Sequence, residues 1–178
     1  MLIKEASLLG CYCIYPDIYQ DNRGQFVKTI DGKEYEKYGL NYDFCEEYYS
    51  KSIGGVLRGM HFQLPPYDHT KLVYCFKGRV MDVVLDLRLK SPTYGKHQVF
   101  NLDSDNPMLI YIPKGMAHGF YTVSEQATML YKTTSLYQPN HDSGILWSSI
   151  DVSWPEKNPI LSKRDMSFQK MQDFKTVF

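Results

Sequence analysis

The chain has 178 residues, 43% of them hydrophobic, which is enough to bury the core of a single domain over residues 1–178. Its 20 basic and 20 acidic residues leave no formal net charge, so binding to nucleic acid or to an anionic membrane through a broad charged surface is not expected. No stretch approaches the roughly 20 apolar residues of a membrane span, and the N-terminus lacks a signal-peptide pattern. The composition therefore predicts a cytoplasmic protein, with an enzyme as the default.

The predicted elements begin with a short helix over residues 31–39, DGKEYEKYG. From about residue 50 to residue 150 the pattern is all β, because runs rich in β-branched and aromatic residues are separated by Gly, Pro, Asn, Asp or Ser clusters. In chain order, these runs are KLVYCFKG, RVMDVVLDLR, KHQVFNL, PMLIYIP, GFYTV and ATMLYKTT. A second short helix is predicted in the C-terminal SKRDMSFQKMQDF. The spacing is typical of an antiparallel sandwich or barrel with short peripheral helices.

Two segments concentrate residues suited to chemistry, GVLRGMHFQ at residues 55–63 and PKGMAHGF at residues 113–120. With Lys71 and Gly78 between them, they resemble the two cupin signatures, a G-x5-H-x-H run with a later Glu and Gly, followed by P-x-G-x-x-H. That resemblance implies an all-β fold, a cupin-like jelly-roll barrel.

Two positions of the cupin metal site are substituted in this chain. Gln63 stands where a metal-binding cupin places its second His, and Lys71 stands where it places its Glu. An ammonium group cannot ligate a metal, and the remaining His61 and His118 are a poor site for a divalent ion. We therefore predict no catalytic metal. A cation inside the barrel instead suits a developing enolate oxygen, which makes Lys71, helped by Arg58, a candidate.

A more specific resemblance extends from about residue 21 to residue 154, with a weaker continuation to LSKRD. The chain is similar to the dTDP-4-dehydrorhamnose 3,5-epimerase family in the segments GVLRGMHFQ, KLVYCFKGRVMDVVLDLR, SPTYGK, IPKGMAHGF and LYKTTSLYQPNHDSGILW. This resemblance implies a homodimer that uses no cofactor and inverts C3 and C5 of a 4-keto-6-deoxyhexose linked to a nucleotide. It also implies that the strand LLGCYCIY pairs across the dimer.

The resemblance assigns catalytic roles residue by residue. His61 matches the base that removes the proton next to the C4 ketone, a task suited to an imidazole with a pKa near neutrality. Asp165 in LSKRD matches the carboxylate that orients this base, and Tyr131 in LYKTT matches the proton donor on the opposite face of the sugar.

Substrate-binding roles follow from the same resemblance. Arg23 and Arg58 match phosphate contacts, for which a planar guanidinium is well suited. The other implied pocket residues are Phe26, Gln63, His118, Lys132 and Tyr137.

One segment departs from the family pattern. Where the family has F-x-Q-x-N-x-S, this chain has FCEEYYS, so Glu46 and Tyr48 replace two amides that contact the nucleotide. An ionised carboxylate only accepts hydrogen bonds, and guanine presents adjacent donors whereas thymine presents one. The hypothesis is a GDP-linked 4-keto heptose or 6-deoxyheptose substrate, in capsule or lipopolysaccharide synthesis.

Several alternatives remain at this point. The first is the ordinary dTDP-4-dehydro-6-deoxyglucose 3,5-epimerase of rhamnose biosynthesis, in which Glu46 and Tyr48 are tolerated changes. A sugar-nucleotide ketoisomerase would use the same pocket but would not need an opposite-face acid such as Tyr131. A non-catalytic sugar-nucleotide-binding cupin would leave base, cation and acid without a purpose. Whether C3, C5 or both are inverted stays open.

Overall fold

The computed structural model describes residues 1–178 and consists mainly of strands. The strands are β1 (Leu2–Glu5), β2 (Tyr12–Tyr15), β3 (Asp17–Asp21), β4 (Gly24–Lys28), β5 (Glu46–Ile53), β6 (Leu57–Gln63), β7 (Lys71–Lys77), β8 (Arg79–Asp86), β9 (His97–Asp103), β10 (Leu109–Ile112), β11 (Met116–Thr122), β12 (Gln126–Thr133) and β13 (Asp142–Gly144). The helices are α1 (Gly32–Lys37) and α2 (Lys163–Met166), with 3₁₀ turns at Trp147–Ser149 and Met171–Asp173. None of these helices has the length and apolar character that crossing a membrane requires.

Two antiparallel sheets pack face to face, and β3 and β4 form a separate hairpin. The first sheet has the order β1-β2-β10-β7-β12-β5, and the second has the order β13-β6-β11-β8-β9. Because side chains alternate along a strand, every second residue enters the space between the sheets. The main core draws on both, with Val73 and Met129 from the first sheet and Val84 and Phe120 from the second. Burial of each such side chain contributes about 1.5–3 kcal/mol.

Parts of the outer faces of the two sheets are covered by the N-terminal and C-terminal portions of the chain. Tyr35 of α1 belongs to a buried cluster with Leu72 and Leu109 on the first sheet. On the second sheet, Phe174 stacks edge-on against Phe62 at a centroid distance of 5.3 Å. The C-terminal segment thereby lies along β6, the strand that carries the GVLRGMHFQ motif.

The predicted all-β jelly roll is confirmed, and each of the six predicted strand runs contains a strand. The N-terminal helix is also confirmed, and Asp31 caps it by accepting a hydrogen bond from the Lys33 amide. The predicted C-terminal helix is wrong as a continuous element, because only α2 and one 3₁₀ turn form there. Gln169 instead bridges Ile145 beside β13, so pairing with the sheet takes precedence over helical periodicity.

Candidate active site

A cavity of about 280 Å³ opens between the two sheets. Its lining residues are Tyr48, Ser50, Arg58, His61, Phe62, Gln63, His69, Lys71, His118, Phe120, Tyr131, Tyr137, Asp142 and Arg164. Both cupin-like motifs contribute to this lining, as does the LYKTT segment of β12. The cavity is therefore the candidate active site.

Strand alternation and one irregularity aim the motif side chains into this cavity. His61 on β6 and His118 on β11 are paired across the two strands, so they project on the same side. The register then shifts, which lets Arg58, three residues before His61, line the cavity as well. Gly59 has φ 135°, and a Cβ there would lie 2.5 Å from the Cα of Gly119. Only glycine fits this close approach.

His61 forms a pair with Asp165. Its Nε2 lies 2.8 Å from Oδ1 of Asp165, and Oδ2 of Asp165 accepts a hydrogen bond from the Gly59 amide at 3.2 Å. Burial lowers the pKa of His61 despite the opposing effect of the carboxylate, and the nearby Lys71 adds to this lowering. Burial acts to raise the pKa of Asp165, but the hydrogen bonds from His61 and Gly59 hold it below the usual value. An ionised Asp165 requires Nε2–H, which leaves the Nδ1 lone pair of His61 free to accept a proton.

The position of Asp165 is set by the capping of α2. The hydroxyl of Ser162 accepts a hydrogen bond from the Asp165 amide at 3.0 Å, which begins the helix. A parallel bridge between Val56 and Ile160 holds the preceding residues against the start of β6. The carboxylate thus reaches a histidine more than a hundred residues earlier in the chain.

Lys71 begins β7 and is buried in the cavity wall. Its Nζ donates a hydrogen bond to the His61 carbonyl at 3.1 Å. Burial lowers the pKa of Lys71 to about 8. The side chain therefore supplies a weakly solvated ammonium close to the base, where a charge acts more strongly than in water.

Tyr131 lies on the opposite wall from His61, since β12 belongs to the first sheet and β6 to the second. Its hydroxyl lies 3.1 Å from Oγ of Ser50. The ring of Tyr48 stacks on it at 4.9 Å with an interplanar angle of 17°. Burial raises the pKa of Tyr131 well above its usual value, so the phenol keeps its proton until a strong base needs it.

A second histidine–carboxylate pair lies beside the first. His118 Nε2 is 2.7 Å from Oδ2 of Asp82, and both residues are buried. The other carboxylate oxygen of Asp82 has no hydrogen-bond partner. This pair is built entirely from the neighbouring strands β11 and β8.

Positive charge dominates the cavity wall. Arg58, Lys71 and Arg164 face the cavity, against one carboxylate, Asp142. Arg164 bonds to Asp142 at 2.9 Å and lies over the ring of Phe168 at 5.3 Å. Such a wall suits an anionic ligand, and guanidinium groups suit phosphates.

The structure brings most of the predicted site residues together. The residues that line the cavity as predicted are His61, Lys71, Tyr131, Tyr48, Arg58, Gln63, His118 and Tyr137. Asp165 lies directly behind His61. The amide of Gln63 is engaged by the backbone, accepting from the Gln138 amide at 2.6 Å and donating to the Tyr67 carbonyl at 2.8 Å.

Four predicted pocket residues lie elsewhere in this chain. Arg23 and Phe26 are on the β3–β4 hairpin, where Arg23 pairs with Asp21 and its side chain is 87% exposed. Phe26 is 64% exposed. They do not line the cavity because the hairpin belongs to neither of the two large sheets.

The other two corrections concern Lys132 and Glu46, and strand geometry explains the first. Lys132 follows Tyr131 and therefore faces the other side of β12, where it forms an ion pair with Glu47. Glu46 does not line the cavity, although it shares a face of β5 with Tyr48; it stands at the first residue of the strand, and its carboxylate accepts a hydrogen bond from the Tyr137 amide at 3.0 Å.

Sequence reasoning missed six lining residues, the polar Ser50, His69, Asp142 and Arg164 and the apolar Phe62 and Phe120. Arg164 immediately precedes Asp165 in LSKRD, so the same segment carried a signal for it. Asp142 lies in the quoted LYQPNHDSGILW segment. His69 had no motif of its own. No group of three or more His, Cys, Asp or Glu residues in the structure is arranged to hold a metal ion.

The fold and the site together define a class, the cupin-like enzymes that act on sugar nucleotides. The family model described as dTDP-4-dehydrorhamnose 3,5-epimerase matches residues 5–173. The chain belongs to this family, and it is a nucleotide-sugar 3,5-epimerase.

Individual relatives agree with this assignment. A dTDP-4-dehydrorhamnose 3,5-epimerase of Shigella flexneri is 44% identical over 161 residues, 89% of each chain. The crystal structure of the same enzyme from Elizabethkingia anophelis has a TM-score of 0.90 at 38% identity and covers 97% of each chain. The Legionella pneumophila enzyme in complex with dTDP-4-keto-L-rhamnose has a TM-score of 0.92 at 34% identity, covering 98% of this chain and 94% of that one.

Proposed function

We propose that this enzyme inverts C3 and C5 of dTDP-4-dehydro-6-deoxyglucose, the dTDP-linked alternative of the sequence analysis. The observation that carries the proposal is the placement of a histidine–carboxylate base and a buried phenol on opposite walls of one cavity, with an ammonium beside the base. Inversion needs two faces, because the group that removes the proton and the group that returns it lie on opposite sides of the carbon.

In the first half of each inversion, Nδ1 of His61 takes the proton from a carbon next to the C4 ketone. The C–H electron pair forms the enolate, and its negative oxygen is stabilised by the Lys71 ammonium. Asp165 stabilises the imidazolium that forms and holds its ring in place.

In the second half, the phenolic proton of Tyr131 goes to the opposite face of the same carbon, and the ketone is restored. A phenol with a raised pKa is a weak acid in the ground state and gives its proton only to a basic carbon. A ketoisomerase does not need this opposite-face acid, so the buried Tyr131 favours epimerisation.

The cationic wall supports a nucleoside diphosphate as the handle of the substrate. Arg58 is held by Oγ of Ser52 at 3.0 Å and by the Lys51 carbonyl at 3.1 Å, which presents its guanidinium to the cavity. Arg164 lies over the ring of Phe168, which in turn packs edge-on against the His61 ring. These two groups are proposed to bind the diphosphate.

The contacts that Glu46 and Tyr48 make within the protein help to choose between a dTDP-linked and a GDP-linked substrate. Glu46 accepts a hydrogen bond from the Tyr137 amide, and Tyr48 stacks on Tyr131, so both side chains have partners within the protein. This weakens the argument that Glu46 selects guanine, and relatives bearing the dTDP name support a dTDP-linked sugar better. The GDP-linked heptose in capsule or lipopolysaccharide synthesis is therefore the second candidate.

We also propose a homodimer, as the family resemblance implied. Arg23 and Phe26 of the β3–β4 hairpin do not line the cavity of their own chain, and the outer face of the first sheet carries three exposed apolar side chains, Tyr49, Ile53 and Phe76. Association of two copies through this face would bury these side chains and offer the hairpin a neighbouring cavity. The molar mass in solution tests this assembly.

The experiment that tests the function is incubation in D2O with dTDP-linked and GDP-linked 4-keto sugars, followed by NMR of the C3 and C5 protons. Exchange and inversion with the dTDP sugar alone support the proposal. Exchange with the GDP sugar alone would instead support the reading of Glu46 as a guanine contact, and the His61→Asn variant controls for non-enzymatic exchange.

A further inference from the structure

The hydroxyl of Tyr131 has a single hydrogen-bond partner in the protein, Oγ of Ser50 at 3.1 Å. The ring of Tyr48 covers one face of the phenol, and the His118 ring lies edge-to-face with it at a centroid distance of 6.1 Å. Ser50 itself is half-buried and lines the cavity. It therefore joins the buried phenol to the space that holds substrate and water.

The reaction proposed above leaves two groups in the wrong protonation state after one inversion. His61 has gained a proton and Tyr131 has lost one, so neither can serve a second inversion until both are reset. The Tyr131 oxygen is buried and stacked, and a bound sugar would separate it further from bulk water. The Ser50 hydroxyl is the protein group positioned to reach it.

We propose that Ser50 positions Tyr131 and relays a proton to its phenolate between the two inversions; this inference rests on the proposed function. The Ser50 O–H bond breaks as the Tyr131 O–H bond forms, and Ser50 regains a proton from water in the cavity. His61 releases its extra proton to solvent, so one proton enters at Tyr131 and one leaves at His61. No oxidant or co-reactant is needed.

The neighbouring serine of β5 provides a matched comparison. Ser52 lies two residues further on the same face of the strand, but its Oγ accepts from Nε of Arg58 at 3.0 Å. Ser50 thus serves the acid, and Ser52 serves a proposed phosphate contact. Loss of either hydroxyl removes one hydrogen bond, but the two losses affect different steps.

The test compares Ser50→Ala, Ser50→Thr and Ser52→Ala with the unchanged enzyme on dTDP-4-keto-6-deoxyglucose in D2O. We expect Ser50→Ala to lower the rate of double inversion about tenfold, the effect of losing one hydrogen bond to a charged group. Proton exchange catalysed by His61 should fall much less, and singly inverted sugar should accumulate. Ser50→Thr keeps a hydroxyl and should restore the ratio of doubly to singly inverted sugar seen with the unchanged enzyme. Ser52→Ala should raise KM but leave this ratio unchanged.

The outcomes separate the two proposals. If folded Ser50→Ala slows exchange and both inversions equally, Ser50 has only a structural role and the relay is overturned. If the unchanged enzyme neither exchanges nor inverts the dTDP sugar, the proposed function itself is overturned, whatever the variants do. Circular dichroism of each variant establishes that it folds.

Discussion

Two histidine–carboxylate pairs lie side by side in this barrel, and they differ in exposure rather than in chemistry. His61–Asp165 and His118–Asp82 have similar distances, 2.8 Å and 2.7 Å, and the two histidines pair across β6 and β11. The side chain of His61 is 28% exposed, whereas that of His118 is 4% exposed. Both histidines line the cavity, but the more exposed His61 is the one suited to act as a base, and the nearly enclosed His118 is suited to a structural role.

The largest effect that we expect to distinguish the two pairs is the fall in activity when His61, the proposed base, is replaced. His61→Asn should lower kcat/KM about 10³- to 10⁴-fold, the upper range for general base catalysis. Both C3 and C5 proton exchange should disappear, as measured by NMR in D2O, while thermal unfolding stays near that of the unchanged enzyme. Retention of exchange at one carbon would show that a second base acts there.

Breaking the enclosed pair, His118–Asp82, should instead lower the free energy of unfolding. His118→Leu leaves the fully buried Asp82 without its partner, and breaking a buried pair in this way costs about 3–5 kcal/mol. Urea unfolding should show this loss. His61→Leu should show a smaller one, because the buried Asp165 keeps the hydrogen bond from the Gly59 amide. Equal losses of unfolding free energy at both positions would show that the two pairs do not differ in their contribution to stability.

A smaller effect is expected for the partner of the base. Asp165→Asn keeps the shape but removes the charge that stabilises the imidazolium, a charge-assisted hydrogen bond of about 1.5–3 kcal/mol. We expect kcat to fall about 10- to 100-fold with KM little changed, measured by steady-state kinetics. A KM effect alone would place Asp165 in substrate binding.

The smallest expected effect is the dependence of kcat/KM on pH, which reflects the protonation of His61 and Lys71. His61 must be neutral and Lys71 charged, so kcat/KM should fall as the pH drops through the lowered pKa of His61, below 6.5. It should also fall as the pH rises through about 8, the pKa of Lys71. The change is at most about tenfold per pH unit. An alkaline limb near 10 would indicate that Lys71 is solvated.

Sequence reasoning found much of this site because the motif residues are contiguous and lie on strands. GVLRGMHFQ, PKGMAHGF and LYKTT supplied His61, His118 and Tyr131, and alternation along β6, β11 and β12 turns all three toward the cavity. Sequence reasoning placed a residue wrongly where the direction of its side chain depends on the neighbouring structure. Lys132 sits beside Tyr131 in sequence but lies on the other face of the strand.

The sequence by itself determined the all-β class and the family, and its motifs named the residues proposed as base, cation and acid, because strand periodicity and compact motifs are local properties. Only the tertiary structure decided that His61 is the more exposed of the two cavity histidines, that Arg23 and Phe26 lie outside the cavity, and that Ser50 contacts Tyr131. These are contacts between distant parts of the chain. They depend on strand register, on the shift beside Gly59 and on the C-terminal segment lying along β6.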